Sequence, residues 1–313
     1  MKKAVKILII ALCSLLALIL LVLGGLNVLK FALYSDYYGI KDNVCKNPGL
    51  GDGFVCQGLC AYEDGGAYLV SGYMADGSPS RIYVTDTSGK THFVTLVEGG
   101  EANTGHLGGI GWYGENIYLS DDDAIRIVPL KSVLEAQSGA TVEITQSVPI
   151  NNAASFLFVD DRYVYVGEFN DSNAYKTTHS YQTPEGLNHA IVSCYEHDDL
   201  TRPAKIYSIR DMVQGFCTTA QGEIVLSTSF GITSSVFYVY RESDAVDSGL
   251  TLDGAPVYYL TNCARSLKGP AMSEGLDYTD GKVITLFESA SDKYIFGKFF
   301  FAYNIVSLDF SAE

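Results

Sequence analysis

Five segments of this chain repeat one scheme at intervals of 49, 49, 59 and 60 residues, and that recurrence restricts the fold more than any other feature. They begin at Gln57-Gly58-Leu59, His106-Leu107-Gly108-Gly109-Ile110, Ser155-Phe156-Leu157, Gln214-Gly215-Phe216 and Glu274-Gly275-Leu276. In each, a small or polar residue leads into a short apolar strand. A turn follows, at Asp64-Gly65-Gly66, Gly114-Glu115-Asn116, Asp160-Asp161, Gln221-Gly222 and Asp280-Gly281, several of them dipeptides that readily reach positive φ. β-branched and tyrosine-rich second strands are expected over 67–71, 117–120, 163–167, 224–227 and 283–287. Third strands are expected over 81–84, 125–128, 191–195, 236–240 and 304–308. Fourth strands read near 93–97, 145–150, 204–209 and 257–260, and the fifth unit offers only three.

Repeated four-stranded antiparallel units of this length, each with a short glycine-rich innermost strand, predict an all-β five-bladed β-propeller. Blades converge at the axis, so the inner strand must be narrow; Gly58, Gly108, Gly109, Gly215 and Gly275 meet that demand. A stretch within 31–45 is expected to supply the missing outer strand of the last unit, because closing the ring removes an exposed edge. The alternative is a six-bladed ring, with a further blade between Gly167 and Gln214, where only one inner-strand signal occurs. A β-sandwich gives such regular units no reason to recur. The 31 glycines against 8 prolines, with 22 tyrosines and 15 phenylalanines, agree with strands and tight turns.

Ahead of the repeats, residues 7–29 carry no charged side chain, and 23 residues at about 1.5 Å each span the roughly 30 Å hydrocarbon layer. This reads as one transmembrane helix. Lys2, Lys3 and Lys6 precede it, which puts residues 1–6 in the cytoplasm, 30–53 outside as linker and ring-closing strand, and 54–313 outside as the propeller. The alternative is a protein secreted after signal cleavage; the run is longer than a usual signal core and no small-x-small site clearly follows it. Cys13, behind Leu12, reads as helix filler rather than a lipid attachment site. The outer part then holds 18 basic against 36 acidic residues, a net of −18, which repels nucleic acid. Six cysteines lie outside, where a disulfide joining Cys45 to Cys56 or Cys60 is expected, with buried free thiols as the alternative.

The pattern resembles bacterial membrane-anchored or secreted β-propeller proteins of uncharacterised function, through Gln57-Gly58, Gly108-Gly109-Ile110, Gln214-Gly215 and Pro270-x-x-x-Glu274-Gly275-Leu276 with Phe287-Glu288-Ser289. That resemblance covers nearly all of the outer part and implies architecture, not chemistry. The Glu274-Gly275-Leu276 step is also similar to the metal-binding opening of gluconolactonase-type propellers, although the asparagine and aspartate partners of that site are not matched.

The repeat alignment places Gln57, His106, Ser155, Gln214 and Glu274 at one structural position, lining the central channel. Asp121, Asp122, Glu168 and Glu288, at the ends of second strands, are expected to form an acidic rim. Hard oxygen ligands of this kind suit Ca²⁺, with Glu274, Glu288, Glu168 and Asp121 as candidate ligands and His106 as candidate acid or base. The bland alternative is a wet tunnel whose polar lining satisfies itself. Glycoside hydrolysis is disfavoured, since it needs two carboxyls across the scissile bond and the axial set offers one. The runs 120–123 and 196–199 lack calcium-loop spacing, and 105–111 lacks the lysine and helix of a phosphate loop. His92, His179, His189 and His197 read as surface or hydrogen-bonded residues. The excursion 170–188 is long enough to cap one face of the ring. The leading expectation is a membrane-anchored binding or scaffold module for an unknown protein, peptide or small-molecule ligand; the alternative is a calcium-dependent lactonase or esterase-like hydrolase.

Overall fold

The computed structural model describes residues 2–63, 66–294, 297 and 302–311. Two residues of the first expected turn, 64 and 65, lie outside them. Five antiparallel sheets surround one axis, each built from the repeat unit seen in the sequence. The first blade runs Phe54–Tyr62, Ala67–Met74, Arg81–Asp86, Thr91–Glu98, and the second Gly109–Tyr113, Asn116–Asp121, Ala124–Pro129, Gln146–Pro149. The third comprises Phe156–Val159, Val164–Gly167, Ala190–Tyr195, Lys205–Ile209, and the fourth Val213–Thr218, Glu223–Thr228, Ser235–Arg241, Arg265–Gly269. The fifth has Ser273–Thr279, Lys282–Phe287 and Asn304–Leu308. The six-bladed alternative falls away, because between Gly167 and Gln214 the chain forms the two outer strands of the third blade and a small hairpin, Tyr181–Thr183 with Gly186–Asn188.

The ring closes with a strand from the start of the chain. Lys41–Lys46 lies antiparallel to Asn304–Leu308, with Lys41 opposite Leu308 and Lys46 opposite Asn304, and completes the fifth blade. Its backbone groups satisfy an edge that would otherwise be open to solvent or to another chain.

One expected strand goes elsewhere. Residues 257–260, expected on the outside of the fourth blade, belong to Ala255–Tyr259, which runs parallel to Lys205–Ile209 of the third, with Ile206 opposite Val257. Arg265–Gly269 is the outer strand of the fourth blade instead. Likewise Ala140–Glu143, from the excursion of the second blade, adds in parallel to Thr91–Glu98 of the first. An apolar run announces a strand but not its partner sheet, which explains the misplacement. These added strands strap adjacent blades. Val142, buried in the strap over the first blade, is expected to cost about 2 kcal/mol when replaced by Ala, read as a lowered midpoint of urea unfolding.

Apolar side chains fill the spaces between neighbouring blades, and the inner strands touch almost backbone to backbone. A Cβ on Gly58 would sit 2.6 Å from the Ile110 nitrogen, on Gly109 2.0 Å from the Leu157 nitrogen, and on Gly215 2.6 Å from the Glu274 carbonyl oxygen. Buried hydroxyls near the ends of second strands pin the same joints: Ser71 donates to the Leu107 carbonyl and Ser227 to that of Glu274, each at 2.9 Å. The expected disulfide is not formed. All cysteines are free thiols; Cys45 and Cys56 sit in the apolar cluster between the fifth and first blades, and Cys60 in the next one. The acidic runs 120–123 and 196–199 turn the chain between strands, and Asp121, the last residue of its strand, is buried.

The leading helix, Lys2–Leu33, is 32 residues long and apolar enough to cross a membrane. A short helix, Ser35–Ile40, then descends beside the fourth and fifth blades. Buried Tyr34 and Tyr37 fix it there, Tyr37 with its ring edge-on to Phe287 at 6.2 Å.

Candidate functional site

Three of the five aligned polar residues owe their direction to β-bulges. Gln57, Gln214 and Glu274 fall where the inner strand skips register, between Cys56 and Gly58, Val213 and Gly215, and Ser273 and Leu276. A bulge leaves its extra residue unpaired and re-aims the side chain. The glycine after each one packs against a neighbouring blade or its own second strand. The polar-Gly dipeptide is therefore the sequence trace of a bulge whose first residue is turned into the axis. His106 and Ser155 precede their inner strands and reach the same place.

A cavity of about 440 Å³ opens there, lined by Gln57, His106, Ser155, Gln214 and Glu288, so that every blade contributes one of these aligned or strand-end residues. Asp122 lies on its rim. Beneath it Glu274 is buried, with Oε1 unpartnered among the described residues. Sequence reasoning missed most of the walls: Tyr73, Phe169, Phe230, Lys293 and Tyr294 come from strand ends and connecting loops that carry no repeat signal. The excursion 170–188 caps the mouth only through Tyr175, while its hairpin lies away from the cavity, with Glu185 accepting from the Cys263 amide.

Hydrogen bonds fix the protonation pattern of the floor. The Gln57 amide nitrogen donates to its neighbour's carbonyl at Cys56 and to Glu288 Oε2, both at 2.9 Å, so Oε1 must be the atom facing His106. At 2.6 Å from that oxygen, His106 Nε2 carries the proton, and Nδ1 is left with a lone pair. Although His106 keeps much of its surface open to the mouth, the protein packed around the ring, with the Lys293 ammonium, lowers its pKa against the opposing charges of Asp121 and Asp122. Tyr294 donates to Glu288 Oε2 at 3.0 Å.

The two carboxyls behave as a pair. Burial raises the pKa of Glu274 well above the ordinary carboxylate range, and the neighbouring Glu288 charge adds to it. Glu288 is raised by burial as well, against hydrogen bonds from Tyr294 and Gln57 that favour its charged form.

The expected acidic rim is not assembled as one group. Asp121 Oδ2 accepts from Asn103 Nδ2 at 2.8 Å and Arg126 Nε at 2.7 Å. Glu168 meets His179 at 3.2 Å, and that bond raises the His179 pKa against the opposing effect of burial. Of these four, among the described residues, Glu288 alone stands beside Glu274. Among the described residues no three His, Cys, Asp or Glu side chains converge in a metal-holding group. The other histidines are hydrogen-bonded: His92 to the Val133 carbonyl, His189 to Asp211 and His197 to the Asp160 carbonyl.

No protein-family model and no curated protein sequence matches the chain. Among solved structures, the PQQ-bound form of an aldose sugar dehydrogenase from Streptomyces coelicolor is 14% identical over 79% of this chain and 77% of that one, with a TM-score of 0.47. Luciferin-regenerating enzyme is 11% identical over 84% of this chain and 94% of its own, with a TM-score of 0.45. For Kuenenia stuttgartiensis hydrazine synthase the values are 9% identity, 74% of this chain and a TM-score of 0.38, and this chain spans 55% of that one's length. The propeller assignment rests on strand pairing, not on these likenesses.

Proposed function

We propose that the chain is a single-pass membrane protein whose outer propeller binds a small ligand in the axial mouth. Lys2, Lys3 and Lys6 before the apolar helix support a cytoplasmic N-terminus and a propeller on the other side. The observation that carries the binding reading is convergence: side chains from all five blades line one cavity whose volume is in the range of small-molecule sites. Its floor offers acceptors, the His106 Nδ1 lone pair and the Glu288 carboxyl, and its walls offer rings together with the Lys293 ammonium. The ligand class this fits is a small N–H or O–H donor, favoured when cationic by the excess of acidic residues.

In a thermal-shift panel of alkylammonium, amino-alcohol and polyol compounds, a cationic donor at about a hundred times its Kd is expected to stabilise the protein by about 3 kcal/mol. Glu288→Gln and His106→Ala are expected to lose that shift. A panel without any shift, or a shift kept in both variants, overturns the reading.

The unpartnered Glu274 oxygen beside Glu288 favours a second reading, a calcium-dependent lactonase or esterase-like hydrolase with His106 as acid or base. Calcium takes six to eight oxygens, and the place supplies two carboxyls, with Asp121 and Glu168 held by other partners. The side chains alone fall short of a calcium shell, so no step is derived through the ion. A general-base histidine is also commonly oriented by a carboxylate, whereas here the neutral Gln57 amide stands between His106 and Glu288. Calcium-dependent turnover of a nitrophenyl ester or a lactone, abolished by Glu274→Gln, would establish this reading over the first.

A further inference from the structure

The mouth of the cavity and the end of the leading helix lie on the same face of the ring. Ser229, Phe230 and Gly231, in the turn between the second and third strands of the fourth blade, line the mouth. Four residues past Phe230 in the same turn, Ser234 Oγ is 3.0 Å from the hydroxyl of Tyr34, the first residue after the helix. That turn is apolar and outward-facing: Phe230 is 46% and Ile232 61% exposed. Gly231, at φ +56°, lets the chain reverse between them, and Thr233 closes the turn by donating its hydroxyl to the Phe230 carbonyl at 2.7 Å.

The neighbouring loops extend the patch. Tyr175, 63% exposed, and Phe169 pack together at 5.7 Å, and Phe169 stacks on Phe230 at 6.2 Å. Met212, 39% exposed, has its amide on the Asn170 carbonyl, and its own carbonyl accepts from the Ser229 amide. These bonds hold the loops of the third and fourth blades as one surface. No charged residue occurs between Glu223 and Arg241, although acidic residues outnumber basic ones by 36 to 21 in the chain as a whole. An exposed apolar patch of this kind marks an interaction surface.

We propose that this face docks on the bilayer leaflet from which the helix emerges, with Phe230 and Ile232 inserted at the boundary of headgroups and acyl chains, so that the cavity mouth is turned toward the membrane. The proposal rests on the reading of the leading helix as an anchor. Continuity argues for a membrane occupant over a protein one: buried Tyr34 and Tyr37 fix the helix end against the propeller, one hydrogen bond from the apolar turn. The turn itself is uncharged, with Asp171 and Asp211 on the adjoining loops beside it at headgroup level, and burying its apolar side chains at the lipid boundary is favourable.

The full chain is reconstituted in dioleoylphosphatidylcholine vesicles containing a brominated-chain phosphatidylcholine, which quenches indoles within the acyl region. The native Trp112, near the far end of its inner strand with its indole nitrogen on the Ala61 carbonyl, serves as the reference away from the mouth. Phe230→Trp and, separately, Ile232→Trp are expected to add emission that brominated lipid lowers at least about two-fold, with Trp112 unchanged. Absence of quenching for both introduced indoles, in protein that resists alkaline extraction, overturns the docking while leaving the anchor in place. Protein released by alkaline extraction overturns the anchor itself, and the docking with it. Introduced indoles shielded in detergent in proportion to protein concentration overturn the proposal in favour of a second copy of the chain.

Discussion

Gly109→Val is expected to leave most of the protein unfolded at room temperature. At this position even a Cβ would lie 2.0 Å from the nitrogen, 2.7 Å from Cα and 2.8 Å from Cβ of Leu157 on the next blade. Overpacking a flexible core costs about 1–3 kcal/mol when side chains move aside. Here two inner strands must separate, and Phe156–Val159 is held from behind by Val164–Gly167. The cost is therefore expected on the order of 5 kcal/mol, comparable with the whole stability of many domains. Circular dichroism against urea measures it, with Gly51→Ala as the control, since Gly51 has nothing within 4 Å of its Cβ position and no positive φ. An unfolding free energy for Gly109→Val within about 1 kcal/mol of the parent's would refute the close approach of blades at the axis.

Glu274→Gln is expected to flatten the dependence of stability on pH and, in the absence of ligand, to stabilise the protein above neutrality. Both carboxyls of the pair have folded-state pKa values raised above the unfolded value of about 4.3. Between that value and the raised ones, the native protein binds more protons than the unfolded chain, so stability falls as pH rises. The favourable contribution is complete below about pH 4 and is lost as pH climbs through the raised values. Removing one carboxyl removes both a buried ionisation and the repulsion on Glu288. Relative to the parent, the variant is expected to lose less stability between pH 5 and pH 8. Urea unfolding at those two pH values decides it: parallel losses in parent and variant would mean that the pair carries no such strain.

The repeat was legible because blade geometry is written locally. A narrow inner strand needs glycine at Gly58, Gly108, Gly109, Gly215 and Gly275, and a bulge that points inward needs a polar residue just before it, as at Gln57, Gln214 and Glu274. Both demands recur with the blade, so they appear as a period. The closing strand was legible for a related reason, since the fifth unit was one strand short. The cavity walls were not. Tyr73, Phe169, Phe230 and the adjacent pair Lys293 and Tyr294 come from four different blades, and only the ring brings them within reach of one another.

The sequence by itself determined the repeating unit, a preference for five blades over six, the glycine belt and an apolar helix long enough to cross a bilayer, because each depends on neighbours a few residues away or on a fixed repeat. Tertiary structure alone decided that Glu274 stands beside Glu288, that Asp121 and Glu168 take other partners, that two strands cross to adjacent blades, and that the helix ends beside the mouth. Those outcomes depend on groups distant in the chain, such as Tyr34 and Ser234, whose meeting is set by how the ring closes and is encoded in no local pattern.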